Sequence, residues 1–128
     1  MILSIDTDSA TPVYRQIVDG LRIALVNGEL APGDSLPPVR RLALDLGVHF
    51  NTVAEAYREL AREGWLDIGA RSGARVMKRS VPDAPTRDVD ARFRRRVEEL
   101  IAEMQARGIK RSRLASQLRR IADALDGG

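Results

Sequence analysis

His49, Phe50, Asn51 and Thr52 form one run just after Gly47, where the hydrophobic pattern predicts that a helix begins. An asparagine amide carries a donor and an acceptor side by side and can bond adenine bidentately in the major groove. A threonine can bond a phosphate through its hydroxyl and touch a thymine methyl with its own. A helix that enters a groove end-first offers its opening residues to the base edges, so these four are the candidate readers. Asn51 and Thr52 also suit a plainer task, since either can cap the helix.

Further along, Asn51, Glu55, Arg58 and Arg62 fall on one helical face. Glu55 can accept from a cytosine amine, but a bond to Arg58 one turn on, across a solvated face, accounts for it better. Arg40, one turn into the preceding predicted helix, suits a phosphate, because such a helix crosses the backbone above the groove. Arg71-Ser72-Gly73 sits at a predicted hairpin tip, where Arg71 can follow the adjacent minor groove or stand as an ordinary exposed turn residue.

The elements that must hold these groups follow from periodicity. Thr11-Pro12 reads as an N-cap with proline at the first helical position. Val13, Ile17, Leu21 and Leu25 then recur every four residues until Asn27-Gly28 ends the helix. Turn residues from Leu30 to Ser35 precede a second helix with Val39, Leu42, Ala43 and Leu46 on one stripe, stopped by Gly47. A third runs from Phe50 to Glu63, burying Val53, Ala56, Tyr57, Leu60 and Ala61, with Gly64 as its C-terminal stop. Trp65-Leu66-Asp67-Ile68 and Ala74-Arg75-Val76-Met77 alternate like two strands around Gly69–Gly73, the candidate wing. Trp65, Leu66 and Tyr57 read as core.

The fold class is therefore mostly α with a small β-hairpin wing: a winged helix-turn-helix over residues 1–79, a linker at 80–86 and a helical segment at 87–128. In that last segment Val89, Phe93, Val97, Leu100, Ile101 and Met104 form one stripe and Leu114, Leu118, Ile121, Ala122 and Leu125 a second, parted by Gly108. Two helices cannot wrap a drug-sized ligand, which needs a cavity lined from several elements. Their stripes can pack against a second copy, the economical reading, or fold back on the winged domain. The dimerisation residues expected are Phe93, Val97, Leu100, Ile101, Met104, Leu114, Leu118 and Ile121. Arg92, Arg94, Arg95 and Arg96 read as a solvated face.

Composition narrows the class. The 128 residues hold no cysteine and one histidine, so no disulfide, thiolate metal site or histidine pair is expected, and no cofactor. No apolar run approaches the length of a membrane span, and the first residues lack the basic region of a secretory signal, so a cytoplasmic protein is expected. Net charge is +3, but residues 1–79 carry ten Lys/Arg against ten Asp/Glu, and the excess lies in residues 80–128, eleven against eight. Local clustering is the informative feature: Arg71, Arg75, Lys78 and Arg79 occur without an acid among them. The preference for Arg over Lys suits bidentate phosphate contacts, and a GC-rich genome produces the same bias. No nucleophile arrangement, metal spacing or phosphate-cradling loop supports an enzyme.

One family combines these features. Leu36-Pro37-Pro38-Val39-Arg40-Arg41-Leu42-Ala43, then Leu46-Gly47-Val48, Asn51-Thr52-Val53, Ala56-Tyr57, Leu60 and Glu63-Gly64-Trp65-Leu66, resembles the N-terminal domain of GntR-family bacterial transcription regulators. Pro12-Val13-Tyr14-Arg15-Gln16-Ile17 and Gly28-Glu29-Leu30-Ala31-Pro32-Gly33-Asp34 match its lead-in, and Asn51-Thr52-Val53 with the short tail is similar to the YtrA-like branch. The resemblance implies a dimer reading an inverted repeat, with DNA contacts at Arg40, His49, Phe50, Asn51, Thr52 and the wing near Arg71. Many relatives carry Ser/Thr-Arg in place of His49-Phe50, Arg in place of Ala54, Gly in place of Arg71 and an aromatic in place of Arg75, so an operator sequence does not transfer. The expectation is a dimeric repressor on double-stranded DNA, with Arg58, Ser72 and Gly73 completing the contact set and no effector named. The alternative is a winged-helix protein-interaction module that does not bind DNA.

Overall fold

The computed structural model describes residues 3–69, 73–79 and 87–127. Its elements run α1 (Val13–Val26), α2 (Val39–Leu46), α3 (Phe50–Arg62), β1 (Leu66–Gly69), β2 (Gly73–Val76), α4 (Val89–Ala106) and α5 (Arg111–Gly127). The chain divides into two compact units, Met1–Val81 and Pro82–Gly128. Residues 80–86, expected as a linker, and Arg71-Ser72 of the expected wing tip lie outside the described residues.

In the winged unit the stripes read from sequence converge on one core. Ile17, Val18 and Leu21 of α1 and Val53, Ala56 and Leu60 of α3 are completely buried, and Leu42 and Ala43 of α2 nearly so. Each large side chain taken from water contributes about 1.5–3 kcal/mol, and this burial, more than propensity, holds three short helices in place. Gly20 lies inside α1 beneath the Leu3 side chain, whose end would have to shift to admit a Cβ there.

The start of α1 differs from expectation by one residue. Pro12, not Thr11, is the N-cap: its fixed φ of −56° and ψ of 149° place its carbonyl to accept the Gln16 N–H, and no side chain caps the turn. Thr11 serves through its backbone instead, its carbonyl accepting from the Gln16 amide.

β1 and β2 pair antiparallel with Leu66 opposite Val76 and Asp67 opposite Arg75. Leu66, Ala74 and Val76 face inward while Asp67 and Arg75 face solvent. Residues 33–36, with 33–35 expected as turn and Leu36 as the lead-in to α2, form a third rung on the free edge of β2. The Gly33 N–H donates to the Val76 carbonyl, the Val76 N–H to Asp34 and the Leu36 N–H to Ala74. Leu36 is thereby buried and the chain delivered to α2. The Tyr57 hydroxyl then donates to the Pro37 carbonyl at 2.6 Å, tying the lead-in of α2 to the middle of α3. Burial holds that phenol protonated, its pKa well above the usual value.

The helical unit is built otherwise. α4 ends at Arg107, and Gly108, with φ of +95°, turns the chain while the Ile109 N–H donates back to Met104. Neither α4 nor α5 buries a residue.

Candidate nucleic-acid interface

α2 and α3 are joined by Gly47-Val48-His49. Gly47 adopts φ +70°, a left-handed conformation that glycine takes without penalty, and its N–H and that of Val48 satisfy carbonyls at the end of α2. Val48 packs on the core, so the turn is anchored and α3 leaves it in a set direction.

His49 is the N-cap of α3. The Asn51 N–H donates to His49 Nδ1 at 3.1 Å, which requires Nδ1 unprotonated. The plainer reading of Asn51 and Thr52 as caps is therefore replaced: their neighbour satisfies the helix start. Asn51 is exposed and Thr52 half-buried. A polar residue directly before an apolar-periodic run is the sequence signal for a cap, and His49 occupied that position, though histidine is an unusual choice.

Phe50 opens α3 with 39% of its surface exposed. Its ring stacks on His49 at 4.6 Å between centroids with 25° between planes, and the Arg40 guanidinium lies over it at 4.8 Å from the centroid. The structure thus brings together Arg40, His49 and Phe50, an association that no helical period reveals. Among the described residues Arg40 has no carboxylate partner, whereas its neighbour Arg41 pairs with Asp45 at 3.3 Å.

Arg58 is exposed on the outward face of α3, as the helical step requires. The bond expected between Glu55 and Arg58 does not form; Arg62 pairs with Glu59 instead, one turn later. That bond is the chief cause that holds the Glu59 carboxyl below its ordinary range. Arg22 of α1 reaches Glu63 at 2.6 Å and Asp19 at 3.1 Å, clamping α1 to the end of α3, and the Glu63 bond raises its pKa.

The basic cluster near the wing is divided. Arg79 covers the Trp65 ring at 4.6 Å, and its Nε donates to the Glu63 carbonyl, so it serves packing. Arg75 stands opposite Asp67 on the exposed strand face, and Lys78 is exposed. Gly73 opens β2 with φ +70°; Arg71 and Ser72 lie outside the described residues.

In the helical unit Phe93 is 70% and Ile121 59% exposed, and Leu100 and Leu118 are exposed as well. Val97, Ile101, Met104 and Leu114 are half-buried. Ile101, Leu114 and Leu118 line an open groove between α4 and α5 with Gln105, Arg111 and Ala115. No helix among the described residues is long and apolar enough to cross a membrane, and none of their acidic or histidine side chains group as a metal site.

A family model described as bacterial regulatory proteins, gntR family, matches residues 13–76, from the start of α1 to the end of β2. The HTH-type transcriptional repressor YtrA of Bacillus subtilis (strain 168) is 30% identical over 130 residues, covering 99% of this chain and 97% of that protein. The solved structure of YtrA from Sulfolobus acidocaldarius, a GntR-family transcription factor, is 33% identical with a TM-score of 0.59, over 83% of this chain and 99% of its own. AraR(DBD), solved in complex with operator ORX1, shares the fold at 21% identity with a TM-score of 0.54, over 59% of this chain and 98% of its own. The matched span holds the three helices and hairpin just described, the likeness to YtrA runs on through the helical unit, and the chain belongs to the GntR family of bacterial regulatory proteins.

Proposed function

We propose that this chain is a cytoplasmic, sequence-specific DNA-binding repressor that acts as a homodimer on an inverted-repeat operator. Residues 1–79 are the DNA-binding domain, 80–86 the linker and 87–128 the dimerisation segment. One observation carries this reading: Phe50 and Asn51 at the start of α3 are exposed, the cap is supplied by His49, and among the described residues the Asn51 and Thr52 side chains have no hydrogen-bond partner. Polar groups with no intramolecular employment at the exposed start of a helix are what base-edge recognition requires.

In this reading Asn51 reads a base, Thr52 and Arg40 bind phosphate, and His49, Phe50 and Arg58 flank them in the groove. Arg71, Ser72 and Gly73 of the wing lie along the neighbouring backbone or minor groove. The family and the repressor name of the Bacillus relative support the regulatory role. The apolar stripes of α4 and α5 support the dimer, since isolated helices of this length are marginal until something covers them. A two-fold dimer places two reading helices on one face of the duplex, with half-sites about one or two helical turns apart. Occupation of promoter DNA then suffices for repression.

Selection of bound fragments from a random duplex pool tests the reading directly. The expected product is a two-fold symmetric motif whose binding survives competitor DNA and weakens with salt. No enrichment, together with no retention on DNA at low salt, would overturn it in favour of a protein-interaction module.

A further inference from the structure

We infer that Phe50 is a positioning residue: its ring, backed by His49, holds the Arg40 guanidinium poised for the DNA backbone. This rests on the reading of Arg40 as a phosphate contact. Arg40 is exposed at the first turn of α2, and a free arginine there samples many rotamers. Arg41 beside it is occupied by Asp45, but among the described residues Arg40 is held by no carboxylate. Its contact is the Phe50 ring at 4.8 Å.

An aromatic face suits this task better than an acid does. The ring restrains the cation through its quadrupole without neutralising it, so the positive charge stays available to a phosphate, and the guanidinium edge keeps its donors free. Stacking on His49 at 4.6 Å limits the ring's own movement, and His49 is fixed in turn by the Asn51 N–H. The chain of contacts runs from the first backbone N–H groups of α3 to a cation on α2. The helix that reads bases and the helix that grips the backbone thus share one register, set by side chains on both.

The experiment measures binding of the full chain to a short random-sequence duplex pool over a range of salt, because a phosphate contact is independent of sequence. Arg40→Ala should flatten the plot of log affinity against log salt by about one contact. Phe50→Leu removes no charge, yet its slope should move toward that of Arg40→Ala, with affinity lower by about two- to fivefold. Phe50→Met should repeat this, Phe50→Tyr, which keeps the aromatic face, should restore the parental slope, and Phe50→Leu should cost clearly less in the Arg40→Ala background than in the parent. His49→Asn, which keeps a capping acceptor and loses the ring, should move the slope the same way by less. Thermal melts of each variant check the fold.

Weakened binding by Phe50→Leu with the slope unchanged, or equal weakening in the Arg40→Ala background, would overturn the inference while leaving Arg40 a phosphate contact. An Arg40→Ala slope equal to the parent's would overturn both, and absence of any binding by the parent chain would sink the functional reading itself.

Discussion

The winged unit and the helical unit both contain amphipathic helices, more sharply so in the winged unit, and treat their apolar stripes in opposite ways. α1, α2 and α3 are eight to fourteen residues long, and α1 and α2 each hide their stripe against α3 in one shared core. α4 and α5 are longer, eighteen and seventeen residues, and bury none of theirs. The winged unit leaves a polar edge uncovered at Arg40 and Asn51, with apolar residues such as Ile23, Val26 and Leu44 exposed on its helices' outer faces; the helical unit leaves the stripes themselves largely uncovered. The polar edge stays in water until an anionic partner arrives, whereas the uncovered stripes favour association at once.

That contrast is tested most severely in the helical unit. Leu100→Asp with Leu118→Asp should cost about 1.5–3 kcal/mol of association, the transfer of what two half-exposed leucine side chains still show to water, before any cost of burying carboxylates is added. Sedimentation should then show monomers, and helicity in the far-UV should fall with dilution. Dimers that persist would locate the contact elsewhere on the chain. In the winged unit Leu60, completely buried, is the matching position. Leu60→Ala should destabilise by about 2–5 kcal/mol, followed through Trp65 fluorescence in denaturant, and by the same amount at every protein concentration. A concentration-dependent loss would mean that the winged unit, too, relies on a partner, and the contrast would vanish.

The polar edge separates two smaller effects. Asn51→Ala should lose about 1–3 kcal/mol at one base position and relax preference there. Arg40→Ala should weaken all sequences alike. Selected-pool profiles decide between them: an unchanged preference after Asn51→Ala would remove Asn51 from base reading.

The spacing of apolar residues made the helices and their buried faces legible before any coordinates, because one core covers them and no distant segment competes. Glycines marked the helix ends for the same local reason: Gly47 has to take a left-handed conformation whatever surrounds it. The third rung at residues 33–36 was not legible, since its pairing depends on where β2 lies, and nothing in Gly33-Asp34-Ser35 alternates. At the start of α3 the sequence offers the candidate residues one by one but not their contacts with each other. Arg40 and Phe50 meet through the angle between α2 and α3, and their separation in the chain matches no single-element period. The capping role of His49 was open to reading from its position, and was obscured by residue type.

The smallest effect concerns charge on the surface of α3. Glu59 is held below its ordinary carboxylate range mainly by its bond to Arg62; partial desolvation opposes this, and the fields of Arg62, Arg15 and Arg22 add to it. A carboxyl whose folded pKa lies below its unfolded one stabilises the fold at pH above the unfolded value. That contribution is lost as pH falls through the folded value. Arg62→Ala removes the chief cause, so variant and parent should differ at neutral pH and converge in acid, a narrow difference because the pair is exposed to solvent. A difference that persisted or grew below the depressed value would mean that Arg62 acts through packing of its stem rather than through charge. Arg22, clamped between Asp19 and Glu63, ties α1 to the end of α3 in either case, since the Arg62–Glu59 pair lies within α3.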